Sequence, residues 1–97
     1  METYLIVIEK GEDGYSAYAP DVAGCGVAGE SFEETIHLLR EALEFHFQGM
    51  ADDGEEIPRP SGANAYNIAV RQSASEEYFL THIAVEVPQS NFQPLAA

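Results

Sequence analysis

Residues 4–8 read Tyr-Leu-Ile-Val-Ile, an unbroken run of five apolar residues. Alternate side chains of a strand leave on opposite faces, so Tyr4, Ile6 and Ile8 fall on one side and Leu5 and Val7 on the other. A strand of this kind, read over Thr3 to Lys10, demands cover on both faces. The chain has 97 residues in which to find those two covers. At that size about two thirds of the unfolded surface is buried, so the core is small and each cover matters.

The sequence after the strand supplies a hairpin and then a helix. Gly11-Glu12-Asp13-Gly14 suits a tight connection with positive-φ positions, and Tyr15 to Ala19 alternates as a returning strand. Pro20-Asp21 ends it, since Pro has no N–H for a ladder, and the small residues Gly24-Cys25-Gly26-Val27-Ala28-Gly29 read as a short third strand against which another element packs closely. Ser31 and Glu34 then form a Ser-x-x-Glu capping pattern at a helix start. Phe32, Ile36, Leu39, Leu43, Phe47 and Met50 recur at three and four residues, the spacing of one helical face, and Leu38, Ala42 and Phe45 are read as widening it. Glu33, Glu34, His37, Arg40, Glu41, Glu44 and Gln48 fall on the other face. Gly54 fits the helix end. Gly49, inside the last turns, costs about 1 kcal/mol relative to Ala and predicts a close backbone contact or early fraying.

Ile57-Pro58-Arg59-Pro60-Ser61-Gly62 is an extended connector, because each Pro fixes its own φ and restrains its predecessor. Asn64 to Ser73 reads as a short second helix or an irregular crossover, with the helix favoured; residues 61–77 are the least legible part. Tyr78 to Val87 alternates as a strand, placing Phe79, Thr81, Ile83, Val85 and Val87 on one face. The fold class is therefore α+β, a small antiparallel sheet in the order β-β-β-α-β with one long helix on one face. Residues 1–88 form the domain and 89–97 a loose tail. With a single long helix, one sheet face is left wet in a monomer. Self-association as a dimer or higher even-numbered assembly follows, through Tyr4, Ile6 and Ile8 or Leu5 and Val7, with Ile83, Val85 and Val87 and the tail residues Phe92 and Leu95.

Charge narrows the partners. Seventeen acidic residues against four basic ones give a formal charge of −13. Lys10, Arg40, Arg59 and Arg71 are too scattered for a phosphate-binding stripe, which argues against direct nucleic-acid binding. The same field steers a basic protein toward the chain, or merely keeps it dispersed. One cysteine leaves no disulfide framework or structural zinc spacing, and neither a secretory leader nor a membrane span is visible, which places the chain in the cytoplasm.

Catalytic constellations are thin. Glu9, Asp21, Glu44 and Glu86 are the carboxylates to nominate for a pair of metal ions about 4 Å apart, but their positions at strand ends, in a turn and on a polar helix face do not converge. Cys25 as nucleophile would need His37, His46 or His82 beside it, and a cysteine between glycines is more often a small hydrophobe. His37 lies four residues from both Glu33 and Glu41, the spacing of surface ion pairs. No phosphate loop or dinucleotide fingerprint appears. No cofactor is expected.

Three stretches in fixed order carry a resemblance. They are Gly14-Tyr15-Ser16-Ala17-Tyr18-Ala19-Pro20-Asp21, then Gly24-Cys25 with Gly29-Glu30-Ser31-Phe32-Glu33-Glu34, and Glu41-Ala42-Leu43 through Asp53-Gly54-Glu55-Glu56-Ile57-Pro58. Together they span about half the chain, which resembles the HicB-like antitoxins of HicA/HicB toxin–antitoxin pairs. Val22-Ala23 stands where that family often has Leu-Pro. The resemblance implies a degenerate RNase H-like domain that neutralises a small basic mRNA-cleaving HicA-like toxin by covering its active site. The toxin-facing residues would be Glu33, Glu34, Glu41, Glu44, Asp52 and Asp53. Many such antitoxins carry a C-terminal DNA-binding domain, whereas here only ten residues, none basic, follow Val87, so operon repression is not expected of this chain. The alternatives are an orphan HicB-like oligomeric binding module without a toxin and a residual metal-dependent hydrolase.

Overall fold

The computed structural model describes residues 1–72 and 77–88. The elements run β1 (Glu2–Lys10), β2 (Tyr15–Tyr18), β3 (Gly26–Gly29), α1 (Phe32–Asp52), α2 (Ala63–Gln72) and β4 (Tyr78–Val85). The four strands form one antiparallel sheet in the order β3-β2-β1-β4. The two-sided strand β1 is central, paired with β2 from Val7↔Tyr18 to Lys10↔Tyr15 and with β4 from Glu2↔Val85 to Glu9↔Tyr78.

Both faces of β1 are covered within one chain. On one face Tyr4, Ile6 and Ile8 pack with Leu39, Leu43 and Phe47 of α1 and with Ile83 and Val85 of β4. The Tyr4 and Phe47 rings lie 5.3 Å apart, centroid to centroid. On the other face Leu5 and Val7 pack with Ala65 and Ala69 of α2. The favoured second helix is present, and it overturns the expectation of a wet face. Tyr4, Leu5, Ile6, Val7, Ile8, Ile83 and Val85, nominated for contact with another copy, are buried in the single chain, and Val87 is half-buried against the α1-side core. The physical reason is that two alanines let a short helix sit close enough to β1 to do the work assigned to a partner. Phe92, Leu95 and Ser73 lie outside the described residues.

The connector between the helices takes the chain from one face of the sheet to the other, and two staples hold it. The Tyr4 hydroxyl donates to the Pro58 carbonyl at 2.6 Å. The Ser61 N–H and hydroxyl both donate to the Asp21 carboxylate, at 2.9 and 2.5 Å. Gly62, at φ 61°, then turns the chain into α2.

Helix α1 begins and ends by backbone logic. Ser31 is the N-cap, its hydroxyl accepting the Glu34 N–H at 3.1 Å. At the other end the Gly54 N–H reaches the Ala51 carbonyl and the Glu55 N–H the Met50 carbonyl, with Gly54 at φ 73°, a left-handed close satisfying two end carbonyls. The glycines elsewhere act differently from expectation. Gly11 and Gly14 do not adopt positive φ; instead a Cβ at Gly14 would collide with the Gly29 carbonyl. A Cβ at Gly29 would meet the Thr35 Oγ1 at 2.5 Å, which is the close packing of β3 on α1 that its small residues foretell. Gly49 makes no close contact, a Cβ there would meet nothing within 4 Å, and the helix runs past it to Asp52.

Chemical denaturation will separate these roles. Tyr4→Phe, which orphans the Pro58 carbonyl, should cost about 1 kcal/mol. Tyr18, whose buried hydroxyl has no partner among the described residues, should tolerate Phe with no loss or a gain of up to about 1 kcal/mol. Burial raises the Tyr4 hydroxyl above the ordinary tyrosine range. Its contribution is therefore complete below the unfolded pKa and lost as pH climbs through the higher folded value, an alkaline weakening that Tyr4→Phe should diminish. Among the glycines the signs should oppose: Gly29→Ala should destabilise by about 1–3 kcal/mol through the Thr35 clash, and Gly49→Ala should stabilise by about 1 kcal/mol.

Candidate protein-binding face

Helix α1 presents its outer side to solvent as an acidic stripe with an apolar residue in it. Leu39, Leu43 and Phe47 set the buried meridian. Residues two positions from Leu43 and Phe47 are turned about 200° round the helix. Phe45 is that residue, and 83% of it is exposed. The reading of Phe45 as part of the core face is therefore corrected: its spacing from the buried residues puts it opposite them. Glu41 lies one turn before it and Gln48 and Gly49 one turn after.

The acidic residues divide. Glu33, Glu34, Glu41, Asp52 and Asp53 are exposed. Glu41 Oε1 sits 2.8 Å from His37 Nε2, the expected pair at four residues' spacing, and Gln48 Nε2 donates to Asp52 Oδ1 at 3.0 Å. Glu44 is different: its Oε2 accepts the Glu86 N–H at 2.9 Å, while Arg40 Nε donates to the Ala84 carbonyl at 3.1 Å. These two side chains of α1 reach round to the outer edge of β4.

Beside Phe45 runs an open groove of about 470 Å³, lined by Gly24, Cys25 and Gly26 on one wall and Ala42, His46, Gly49 and Met50 on the other, with Asp53 and Glu55 at one end. Gly49 lacks a packing reason, yet its missing side chain widens this groove directly below Phe45. The Cys25 thiol is half-buried against the core, and burial pushes its pKa above the ordinary thiol range, which disfavours the nucleophilic thiolate. Of the three candidate bases only His46 shares the groove with it; His37 is paired with Glu41, and His82 is on β4.

The carboxylates nominated for metal ions are drawn to separate tasks. Asp21 holds Ser61 and Glu44 holds the Glu86 amide. Glu9 belongs to β1 opposite Tyr78 of β4. Among the described residues no group of three or more His, Cys, Asp or Glu is placed to hold a metal ion. Among them too, no helix is long and apolar enough to cross a membrane. The structure thus brings together a different set from the acidic residues alone: the exposed Phe45, the Gly49 groove and the carboxylates on their rim. The signal for Phe45 was in the sequence, in its offset of two from two core positions.

Comparison with known proteins agrees with this architecture. A family model described as HicB_like antitoxin of bacterial toxin-antitoxin system matches residues 4–93. An uncharacterized 14.9 kDa protein in the rep-hol intergenic region of Haemophilus phage HP1 is 36% identical over 84 residues, 87% of this chain and 61% of the phage protein. Antitoxin HicB 2 of Photorhabdus laumondii is 26% identical over 88 residues, 91% of this chain and 63% of the relative. The chain thus spans about three fifths of the length of these two proteins. A chain of the solved HicA3 and HicB3 toxin-antitoxin complex superposes with a TM-score of 0.70 at 26% identity, covering 87% of this chain and 98% of that one. The Burkholderia pseudomallei antitoxin HicB shares the fold, with a TM-score of 0.73 at 21% identity over the whole of this chain and 73% of that one. With the family match running across nearly all of its length, and the four-stranded sheet and two helices of the solved antitoxins, this chain belongs to the HicB-like antitoxin family of bacterial toxin–antitoxin systems.

Proposed function

We propose that this protein neutralises a small basic HicA-like ribonuclease in the cytoplasm by laying the outer face of α1 over the toxin's active site. The observation that carries the reading is Phe45, a large apolar side chain held in water in the middle of an acidic helix face. Exposed aromatic residues ringed by polar groups are the usual anchors of protein interfaces. The carboxylates strung along this side of α1 are Glu41 one turn before Phe45, Glu34 further toward the helix start, and Asp52 and Asp53 at its end, so the complementary surface is an apolar pocket with Lys and Arg along the line of the helix. An active site that binds RNA has such basic edges, because phosphate contacts need them. Glu33 extends the same charge toward the helix start. Glu44 contributes at one remove, by fixing α1 to β4.

Inhibition on this reading is occlusion without chemistry on the antitoxin. The acidic face stands where the RNA backbone would otherwise lie, and the toxin's basic groups are satisfied by carboxylates in place of phosphates. Association should be fast and salt-sensitive, since long-range attraction sets the encounter rate and the apolar anchor sets the lifetime.

Titration calorimetry against a purified HicA-like toxin is the test. Phe45→Ala should weaken binding by roughly 30-fold or more, about 2 kcal/mol, chiefly through faster dissociation. Glu41→Gln with Asp52→Asn should slow association and flatten its salt dependence. Toxin cleavage of a model mRNA should stop with one equivalent of the wild-type chain and resume with Phe45→Ala. Absence of binding by the wild type at low salt would refute the reading, as would RNA cleavage by this chain with magnesium or manganese that disappears in Asp21→Asn or Glu44→Gln.

A further inference from the structure

We propose that the outer edge of β4 is a strand-pairing surface for a second copy of this chain, joined antiparallel about a two-fold axis at Leu80. The direction of the backbone groups along β4 sets the geometry. The Lys10 N–H donates to the Glu77 carbonyl at 3.1 Å, so residue 77 faces β1. The Ala84 carbonyl is reached by Arg40 and the Glu86 N–H by Glu44, so residues 84 and 86 face outward. Both backbone groups of a residue in an antiparallel ladder point the same way and alternate along the strand. Tyr78, Leu80 and His82 therefore also direct N–H and C=O away from β1. Among the described residues none supplies a hydrogen bond to the outward groups of Leu80 and His82.

The side-chain caps leave a symmetric gap. Arg40 and Glu44 close the end of β4 at Ala84 and Glu86, and what remains open among the described residues is Tyr78, Leu80 and His82, centred on Leu80. A two-fold axis there sets Leu80 opposite Leu80 and Tyr78 opposite His82, and each pair exchanges both of its hydrogen bonds. Leu80 is half-buried at the margin of the α2-side cluster. His82 and Ala84 on the same face are exposed, because α2 packs over β1 and not over β4. Pairing would complete the cover of Leu80 with a second Leu80.

Charge selects the second copy over a basic partner. The strand Tyr78–Val85 reads Tyr-Phe-Leu-Thr-His-Ile-Ala-Val, without Asp, Glu, Lys, Arg, Pro or Gly. A chain of −13 repels its own copy everywhere except where charge is missing, whereas a basic protein is drawn to the carboxylates. Natural edge strands are protected by charge, proline, bulges or brevity. The opposite edge, β3, has four residues bounded by glycines; β4 has eight and none of those protections over its open half. This surface is separate from the α1 face and does not depend on the toxin reading.

The test is sedimentation equilibrium of the full chain with amide hydrogen exchange. The wild type should show a dimer mass that persists to lower concentration as salt rises, since screening removes the repulsion between copies. His82→Pro removes an outward N–H that the β1 ladder does not use, a position where an edge strand accepts Pro. It should run as a monomer with an unchanged far-ultraviolet dichroism spectrum. In the wild type, exchange at the Leu80 and His82 amides should slow with increasing protein concentration. That second measurement decides the matter if His82→Pro fails to fold. A wild-type monomer at high concentration in both low and high salt overturns the proposal, as does a dimer that survives in folded His82→Pro. Leu80 protection independent of concentration also overturns it, because the edge would then be covered from within the chain.

Discussion

Everything in this fold is arranged around β1 being apolar on both sides. A central strand with no wet face forces helices onto both surfaces of the sheet, and the chain must pass from one to the other between α1 and α2. The staples on the connector make that passage definite. The hydroxyl of Tyr4, a core residue of β1, donates to the Pro58 carbonyl, and Asp21, in the turn after β2, takes two hydrogen bonds from Ser61, just before α2. The strand that needs two covers thus helps to place the second one. A buried polar tip on an apolar residue is stabilising only when it finds its partner. Tyr4 finds one and Tyr18 does not among the described residues.

What could be read from the sequence follows from how strongly each element announces itself. The run Tyr4 to Ile8 and the three-and-four spacing from Phe32 to Met50 are periodic and bulky, so β1 and α1 were legible nearly to their ends, as were the Ser31 cap and the Gly54 close. The helix α2 was only favoured, because its buried residues are Ala65 and Ala69 while Tyr66 and Val70 are exposed. Small side chains buy proximity to β1 in place of area, and a reading weighted by hydrophobicity sees the wrong face. That one ambiguity had a cost downstream. Read without α2, the sheet is half bare and residues interior to the chain, Leu5 and Val7 among them, fall to a subunit contact.

The candidate site was half legible for a related reason. Charge is visible in any sequence, so the exposed carboxylates of α1 were found, but charge does not say which of them is free to meet a partner. Glu44 was indistinguishable from Glu41 until the structure showed it holding the Glu86 amide. Phe45 was absorbed into the core because it is apolar, although its offset of two from Leu43 and Phe47 places it on the far side of the helix. Gly49 predicts a close backbone contact or an early fraying, and the helix shows neither. A Cβ there would meet open space, and Gly49 lies on the wall of the groove beside Phe45.

Arg40 and Glu44 join helix α1 to the edge of the sheet. Both project from α1, one ending on the Ala84 carbonyl of β4 and the other on the Glu86 N–H just beyond it. They fix the helix that displays Phe45 to the strand at the sheet edge, over the packing of Ile83 and Val85 in the same core. They also decide how much of β4 stays open. A carboxylate and a guanidinium at the Ala84 end occupy the backbone groups there, and among the described residues none covers Leu80 and His82. The remainder of the edge is uncharged, whereas the exposed turns of α1 are acidic. The two surfaces therefore differ in their physics: the helix face is charged, and the strand edge offers neutral backbone groups.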